Sequence, residues 1–517
     1  MYFEMRLLAE RRGVMALANV SKNVIKEGFS NEKYIELQSG KIKERIAKFG
    51  GKLYMEFGGK LFDDYHASRV LPGFKPDSKL TMLCSLRDSA EIVIAISSED
   101  IENNKFRGDN GVSYDKEVLR LIDSFRDVGL YVGSVVLTKY TGQHAADTFA
   151  KNLQNVGISV YRHYLIRNYP NDVNQIVSEE GFGRNDYIET TRPLVIVTAP
   201  GPGSGKMATC LSQLYHEHKR GIQSGYAKFE TFPIWNLPLK HPVNLAYEAA
   251  TADLADINMI DPYHMQAYGE IAVNYNRDVE IFRVLDSMMS KIFGECPYSS
   301  PTDMGVNMAG YAIYDDEAVR AAAEQEIIRR YFKATCARRK GQADADEVRK
   351  IQLLMDECKI TPLTRPAVEP ALKVQEATGR PAVAIQLHDG HIVTGKTGEL
   401  LSAASAALLN ALKHLSGIDD SIMLISPEVI SPIMKFKHEQ LGRKNPKMRT
   451  DELVIALSIC AQTDPYAARA MGAIEKIRGC EVHSSVMLSY SDEAVLKKLG
   501  ACTTCEPVYA DKGLFHI

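Results

Sequence analysis

One tryptophan occurs in 517 residues, and no apolar run approaches the roughly 18 residues that a membrane helix needs. The best candidate, Leu400 to Leu412, is short and filled with Ala and Ser. An excess of one charge is missing as well. The 62 Lys and Arg stand against 65 Asp and Glu, for a net charge of −3. That balance lacks the basic stripe of a dedicated nucleic-acid binder. The opening "MYFEMRLLAERRGVMALANVSKN" carries Glu4, Glu10 and several Arg where a secretion signal needs an apolar core. Residues 1–28 read as a loose or wrongly assigned extension. The expectation is a cytoplasmic protein with no membrane and no nucleic acid among its partners. Paired cysteines are scarce too. Of nine, only Cys502 and Cys505 form a C-x-x-C, and a structural zinc site takes about four ligands, usually from two such pairs. His216 and His218, two apart on an expected helix, point to different sides. No metal site is expected.

What is present belongs to an ordinary globular protein. The 45% apolar and 25% charged content argues against global disorder. At roughly 100–200 residues per domain, the length suggests about three domains. From Lys52 to Thr198 short runs rich in Val, Ile and Tyr alternate with helical stretches. "KLYMEF" (52–57), "EIVIAIS" (91–97), "LYVGSVVLT" (130–138), "ISVYRHYLI" (158–166) and "LVIVT" (194–198) are expected strands. "YDKEVLRLIDSFRDVG" and "HAADTFAKNLQNVG" are expected helices, each ending at Gly. This alternation predicts an α/β fold, with a mainly parallel sheet in an N-terminal domain over 29–240. Residues 241–362 are strand-poor and predict a helical middle region. Residues 363–517 predict a second α/β unit, in which Asp389-Gly390 marks a hairpin leading into a long small-residue helix.

Two segments compete as phosphate-binding loops. Gly390 to Thr397, "GHIVTGKT", obeys the usual spelling letter for letter. Its context is wrong, because Ile392, Val393 and Thr394 are β-branched and resist the positive φ of an anion nest. It reads as a hairpin, although Lys396 beside a helix start could still meet an anion. "LVIVTAPGPGSGKMAT" (194–209) breaks the spelling but has the right context, a buried strand, a glycine turn and a helix. Gly201, Gly203, Ser204, Gly205 and Lys206 are the expected phosphate or nucleotide binders. The glycines let backbone approach a ligand, the helix start favours an anion, and Lys206 adds a full charge. Met207 stands where a hydroxyl would meet Mg²⁺. A metal would need Ser204, Thr209 or an acid elsewhere. The competing reading is a tight structural turn.

Further candidates lie at the carboxyl ends of the other expected strands, where such folds place ligands. "EFGGKLFDDYHASRVLPGF" crowds Lys60, Asp63, His66 and Arg69 together. Lys60 and Arg69 would face substrate, with His66 as acid or base and Asp63 as base or metal ligand. Arg107 would clamp phosphate. Glu230 would be base or metal ligand. Asp303 and Asn307 in "SPTDMGVNMAG" would touch substrate from a lid or connector.

The runs "KLYMEFGGKLFDDYHASRVLPGF", "TRPLVIVTAPGPGSGKMATCLSQLYHEHKRG" and "KFETFPIWNLPLKHPVNLAYEAATADL" closely resemble a bacterial family known only as a domain of unknown function (DUF1846, or UPF0371). The resemblance covers nearly the whole chain from about Phe29. It implies cytoplasmic proteins without an established activity, so it transfers no catalytic residue. The third region also resembles the αβα layer of deaminases, but the helix "ELLSAASAALL" lacks the His or Cys of a zinc site.

Three functional expectations follow. The first is an enzyme using ATP and Mg²⁺ for phosphoryl transfer or ligation on a small phosphorylated molecule. The second is a non-catalytic nucleotide or phosphometabolite sensor. The third is a scaffold whose helices build a homo-oligomer.

Overall fold

The computed structural model describes residues 26–59, 61–62, 64–107, 111–254, 256–443 and 445–510. Most of the expected extension at 1–28 lies outside the described residues, and so do Lys60 and Asp63. The chain divides into two compact units, Glu27–Ala323 and a second from Glu324 onward.

The first unit is organised by seven strands in the order β4-β3-β2-β5-β1-β6-β9. They are β1 (Leu53–Phe57), β2 (Ala90–Ser97), β3 (Tyr131–Tyr140), β4 (Ser159–Tyr164), β5 (Leu194–Thr198), β6 (Gly225–Phe229) and β9 (Gly305–Val306). Every pairing is parallel. A separate antiparallel pair joins β7 (Asn258–Ile260) to β8 (Val273–Tyr275). The expected strands coincide with β1 to β5, and the two quoted helices are α3 (Tyr114–Asp127) and α4 (His144–Asn155), after α1 (Asn31–Lys48) and α2 (Tyr65–Val70).

Strand parity decides which side chains reach which layer, since neighbours along a strand point to opposite faces. Tyr54, Val93, Val136, Val197 and Tyr226 are buried against Leu211 and Leu214 of α5 (Lys206–Lys219) and Phe282 and Met289 of α6 (Asn276–Phe293). Glu56, Ser97, Thr138 and Lys228 continue the same parity to the carboxyl end of the sheet. The far end of α5 is tied to β1 as well. Tyr54 Oη donates to Glu217 Oε1 at 2.5 Å, and Lys52 Nζ lies 2.6 Å from the same oxygen.

Residues 241–323, expected within a helical region of their own, belong to the first unit and supply β9 to its main sheet. The strongly periodic stretches there and beyond are helices as expected, namely α6, α7 (Asp316–Arg339) and α8 (Ala345–Glu357).

The second unit holds a four-stranded sheet, β11-β10-β12-β13. Its strands are β10 (Ala382–Gln386), β11 (Ile392–Lys396), β12 (Glu481–Ser484) and β13 (Cys502–Cys505). β10 runs antiparallel to β11 and β12, and β12 parallel to β13. Helix α9 (Ala403–Leu415) packs Ala407, Leu408, Ala411 and Leu412 against Val383 and Ile385. The segment "GHIVTGKT" is therefore a hairpin turn followed by β11, with Ile392 opposite Gln386 and Lys396 opposite Ala382. Lys396 is exposed, and α9 starts only at Ala403.

Among the described residues, Arg365 is the largest fully buried side chain. It donates through Nε to Thr504 Oγ1 at 2.9 Å and through Nη2 to the Cys502 carbonyl at 2.7 Å. Its Nη1 lies 2.5 Å from Glu481 Oε2, and Arg329 Nη1 lies 2.6 Å from Glu481 Oε1. This network is what keeps the cost of burying the charges tolerable.

Candidate functional site

The glycine loop connects β5 to α5 at the carboxyl end of the sheet. Gly205 ends it with φ +86, a left-handed conformation that glycine adopts freely. Helix α5 begins at the next residue with no side chain capping its first turn. Its leading N–H groups and the positive end of its dipole are thus available to an anion. Pro202 and Gly203 are exposed at the crest of the loop. The loop is fixed from beneath. Thr138 Oγ1 donates to the Ser204 carbonyl at 2.8 Å, and a Cβ on Gly201 would lie 2.2 Å from Tyr114 Oη. The hydroxyls considered as metal ligands are committed elsewhere. Ser204 Oγ donates to the Gly201 carbonyl at 2.9 Å and Thr209 Oγ1 to the Gly205 carbonyl at 3.0 Å. Met207 packs on the core between sheet and helices.

Lys206 faces Glu56, with Nζ 3.9 Å from Oε1. The other Glu56 oxygen accepts from Tyr226 Oη at 2.9 Å. Glu56 pairs in register with Lys228 on β6. Lys228 Nζ lies 3.0 Å from Glu230 Oε1 and also contacts the Asp278 carboxylate. These side chains form a charged row across the carboxyl ends of β1 and β6, beside the helix start. Burial is the main cause that raises the Glu230 carboxyl to about 7, with Lys228 opposing and Asp278 adding to the rise. A carboxyl poised near neutrality is suited to moving protons. Asp278 and Glu230 hold the Lys228 ammonium firmly protonated despite its burial.

The Glu230 shift has a sign that can be checked. A carboxyl whose folded pKa is raised favours the fold below its unfolded value of 4.5, and that contribution is lost as pH rises through about 7. Glu230→Gln is expected to remove this loss and gain on the order of 1–3 kcal/mol over the wild type at pH 8, but not at pH 4.5. Urea unfolding of both proteins across that range measures it. Parallel pH profiles would show that Glu230 titrates normally.

The other expected site residues lie at varied places. His66, on α2, is half-buried with its ring edge-on to Phe232 and Tyr247, each 5.4 Å away. Arg69 is half-buried on the same helix. Neighbouring Asp64 caps α2 through Ala67 N–H and pairs with Lys79 at 2.7 Å. Arg107 pairs with the buried Glu117 at 2.5 Å. Asp303 accepts from Tyr268 Oη at 2.5 Å and from Ser299 N–H. Asn307 is buried, and its amide donates to the carbonyls of Thr231 and Pro233. The structure thus gathers the glycine loop with Glu230, while Arg107, Asp303 and Asn307 have protein partners of their own. Glu56, Tyr226, Lys228 and Asp278 escaped sequence inspection. For Glu56, Tyr226 and Lys228 the signal was a polar or charged residue at every second position near the end of an apolar strand, as in "YMEF" and "YAKFE", whereas Asp278, on α6, carries no such signal. Among the described residues, no three His, Cys, Asp or Glu side chains come together as a metal site. No helix among them is long and apolar enough to cross a membrane.

Residues 27–359 match the family model "Domain of unknown function DUF1846, N-terminal", and residues 363–515 match "Domain of unknown function DUF1846, C-terminal". The chain belongs to the DUF1846 family. It is 54% identical over 491 residues to the UPF0371 protein str1377 of Streptococcus thermophilus (strain CNRZ 1066), covering 95% of this chain and 99% of the relative. A UPF0371 protein of Streptococcus pneumoniae (strain JJA) matches to the same extent. The resemblance carried by the three sequence runs therefore holds over nearly the whole chain. The N-terminal DUF1846 match contains every residue of the charged row and the glycine loop.

Proposed function

We propose that this DUF1846 chain is an enzyme that binds a small phosphorylated molecule at Gly201–Lys206 and moves a proton on it with Glu230. The observation that carries the proposal is the uncapped start of α5, set on left-handed Gly205, with Lys206 and the charged row beside it. The phosphate would take the helix N–H groups and Lys206. Glu230, with its raised pKa, would act as general acid or base.

Mg²⁺-dependent phosphoryl transfer from ATP is supported less well. At this loop Met207 offers no oxygen, and the Ser204 and Thr209 hydroxyls already donate to backbone. The loop's own residues do not fit the magnesium site of an ordinary phosphate loop. That same commitment favours the second reading, a sensor that captures a phosphorylated ligand without turnover. In the second unit, the strand order β11-β10-β12-β13 supports a deaminase-like layout. Helix α9 begins "AASAALL", so zinc chemistry is not part of the proposal.

Calorimetric titration of the full chain with inorganic phosphate, and with ATP with and without Mg²⁺, tests the proposal. Phosphate is expected to bind, Lys206→Ala to weaken it about tenfold or more, and Mg²⁺ to add little to ATP. Absence of phosphate binding by the intact chain would overturn the proposal. Binding without any turnover in an acid–base assay would leave the sensor.

A further inference from the structure

The charged row beside α5 sets three carboxylates, Glu56, Glu230 and Asp278, against two ammonium groups, Lys206 and Lys228. Glu56 Oε1 has Lys206 at 3.9 Å, beyond hydrogen-bond length, although the side chain is only 15% exposed. Glu230, also largely enclosed, meets Lys228 through Oε1. A phosphate, which only accepts, cannot sit against these carboxylates. It belongs at the helix start. A ligand occupying both places must therefore present an anion at one end and hydrogen-bond donors at the other.

Two buried hydroxyls lie nearby, one under the loop and one beside Glu56. Ser97, at the carboxyl end of β2, is fully buried, and its hydroxyl has no protein partner. It shares the face of α5, next to Thr138, its register partner on β3, whose hydroxyl holds the loop at Ser204. The Tyr169 hydroxyl is likewise buried without a partner, and Glu56 is among its electrostatic neighbours. Buried hydroxyls of this kind are ordinarily satisfied, and a ligand beside Glu56 would satisfy that of Tyr169.

The aromatic rings beyond Glu230 are spent on one another. Phe232 and Tyr247 stack at 5.1 Å, and His66 meets both edge-on. Those faces are not open to a flat base.

Building on the phosphate reading above, we infer that the ligand is a sugar or polyol phosphate whose hydroxyls are read by Glu56 and Glu230. Each carboxylate can accept from adjacent hydroxyls, and Tyr226 holds Glu56 in place through its second oxygen. A phosphate ester without hydroxyls, or bare phosphate, would use the helix start without this second set of bonds.

The test is calorimetry of the full chain with inorganic phosphate, glucose 6-phosphate, glycerol 1-phosphate and phenyl phosphate, which carries no hydroxyls, repeated on Glu56→Gln and Lys206→Ala. The sugar or polyol ester is expected to bind at least about tenfold more tightly than inorganic phosphate or phenyl phosphate, as hydrogen bonds to charged groups allow. Glu56→Gln should erase that margin, while inorganic phosphate, relieved of the carboxylate facing Lys206, binds at least as tightly as before. Lys206→Ala should weaken all of them. Thermal melting of each variant confirms that it is folded. If inorganic phosphate binds through Lys206 but the sugar and polyol esters gain nothing, or phenyl phosphate equals them, the polyol inference falls and the phosphate reading stands. If no phosphate compound binds, both fall.

Discussion

Arg365→Ala is expected to destabilise the second unit by roughly 3–5 kcal/mol, the scale seen when one partner of a buried ion pair is removed. The magnitude follows from what would be left behind. Glu481 would lose the guanidinium 2.5 Å from Oε2, and Thr504 and the Cys502 carbonyl would each lose a donor. Burial pushes the Glu481 carboxyl up, yet Arg329 and Arg365 together hold it below its ordinary value. A carboxyl with a lowered folded pKa stabilises above its unfolded value, and that contribution disappears as pH falls through the folded one. Acid should therefore reproduce part of the Arg365→Ala effect in the wild type, while the variant should show a weaker acid dependence. Urea unfolding followed by circular dichroism at pH 7 and below reads both. A loss under about 1 kcal/mol would mean that water reaches the network and screens it.

Gly395→Ala should be nearly as damaging, although only a methyl group is added. A Cβ at this position would lie 2.1 Å from the Ala407 backbone nitrogen. The obstacle is helix backbone, not a side chain that can swing away. Strand β11 and helix α9 would have to part, at a cost of about 1–3 kcal/mol or more. The substitution also discriminates between two meanings of "GHIVTGKT". In a phosphate loop, Gly395 would serve the anion, and the variant would lose nucleotide affinity while remaining folded. In the hairpin, it makes room for α9, and the variant loses stability while the Gly201–Lys206 site keeps its phosphate affinity. A denaturation curve together with a phosphate titration separates the two.

These cases show which features were legible in the sequence. The spelling of "GHIVTGKT" pointed one way and its β-branched residues the other, and the backbone followed the β-branched residues. Strands β1, β2, β3 and β5 were legible because each is a dense apolar run in a buried parallel sheet, and the edge strand β4 was legible from its Val and Tyr content. β9 was not, because two residues, Gly305 and Val306, carry no periodicity and are placed by pairing with Lys228 and Phe229. The same holds for the grouping of residues 241–323, which depends on long-range packing that local pattern does not encode. In the site, the glycine loop and Glu230 were recognisable. Glu56, Lys228 and Asp278 were not, since their meeting is produced by strand register and by α6 crossing the sheet. Arg107 and Asn307 have residue types that suit ligands. Their commitment to Glu117 and to the Thr231 and Pro233 carbonyls is visible only in three dimensions.

Helix α5 is held at both ends by a single strand. Glu56 faces its first residue, and two positions earlier on the same face of β1, Tyr54 grips Glu217 near its last turn. A helix tethered this way cannot slide along its own axis or tip at one end without breaking a contact at the other. The N–H groups at its start are therefore aimed before any ligand arrives. Preorganisation of this kind spares a ligand the entropy of ordering its own binding site. A second tether also gives the two ends a shared fate, since loosening Glu217, far from the glycine loop, would let the distant end drift out of alignment.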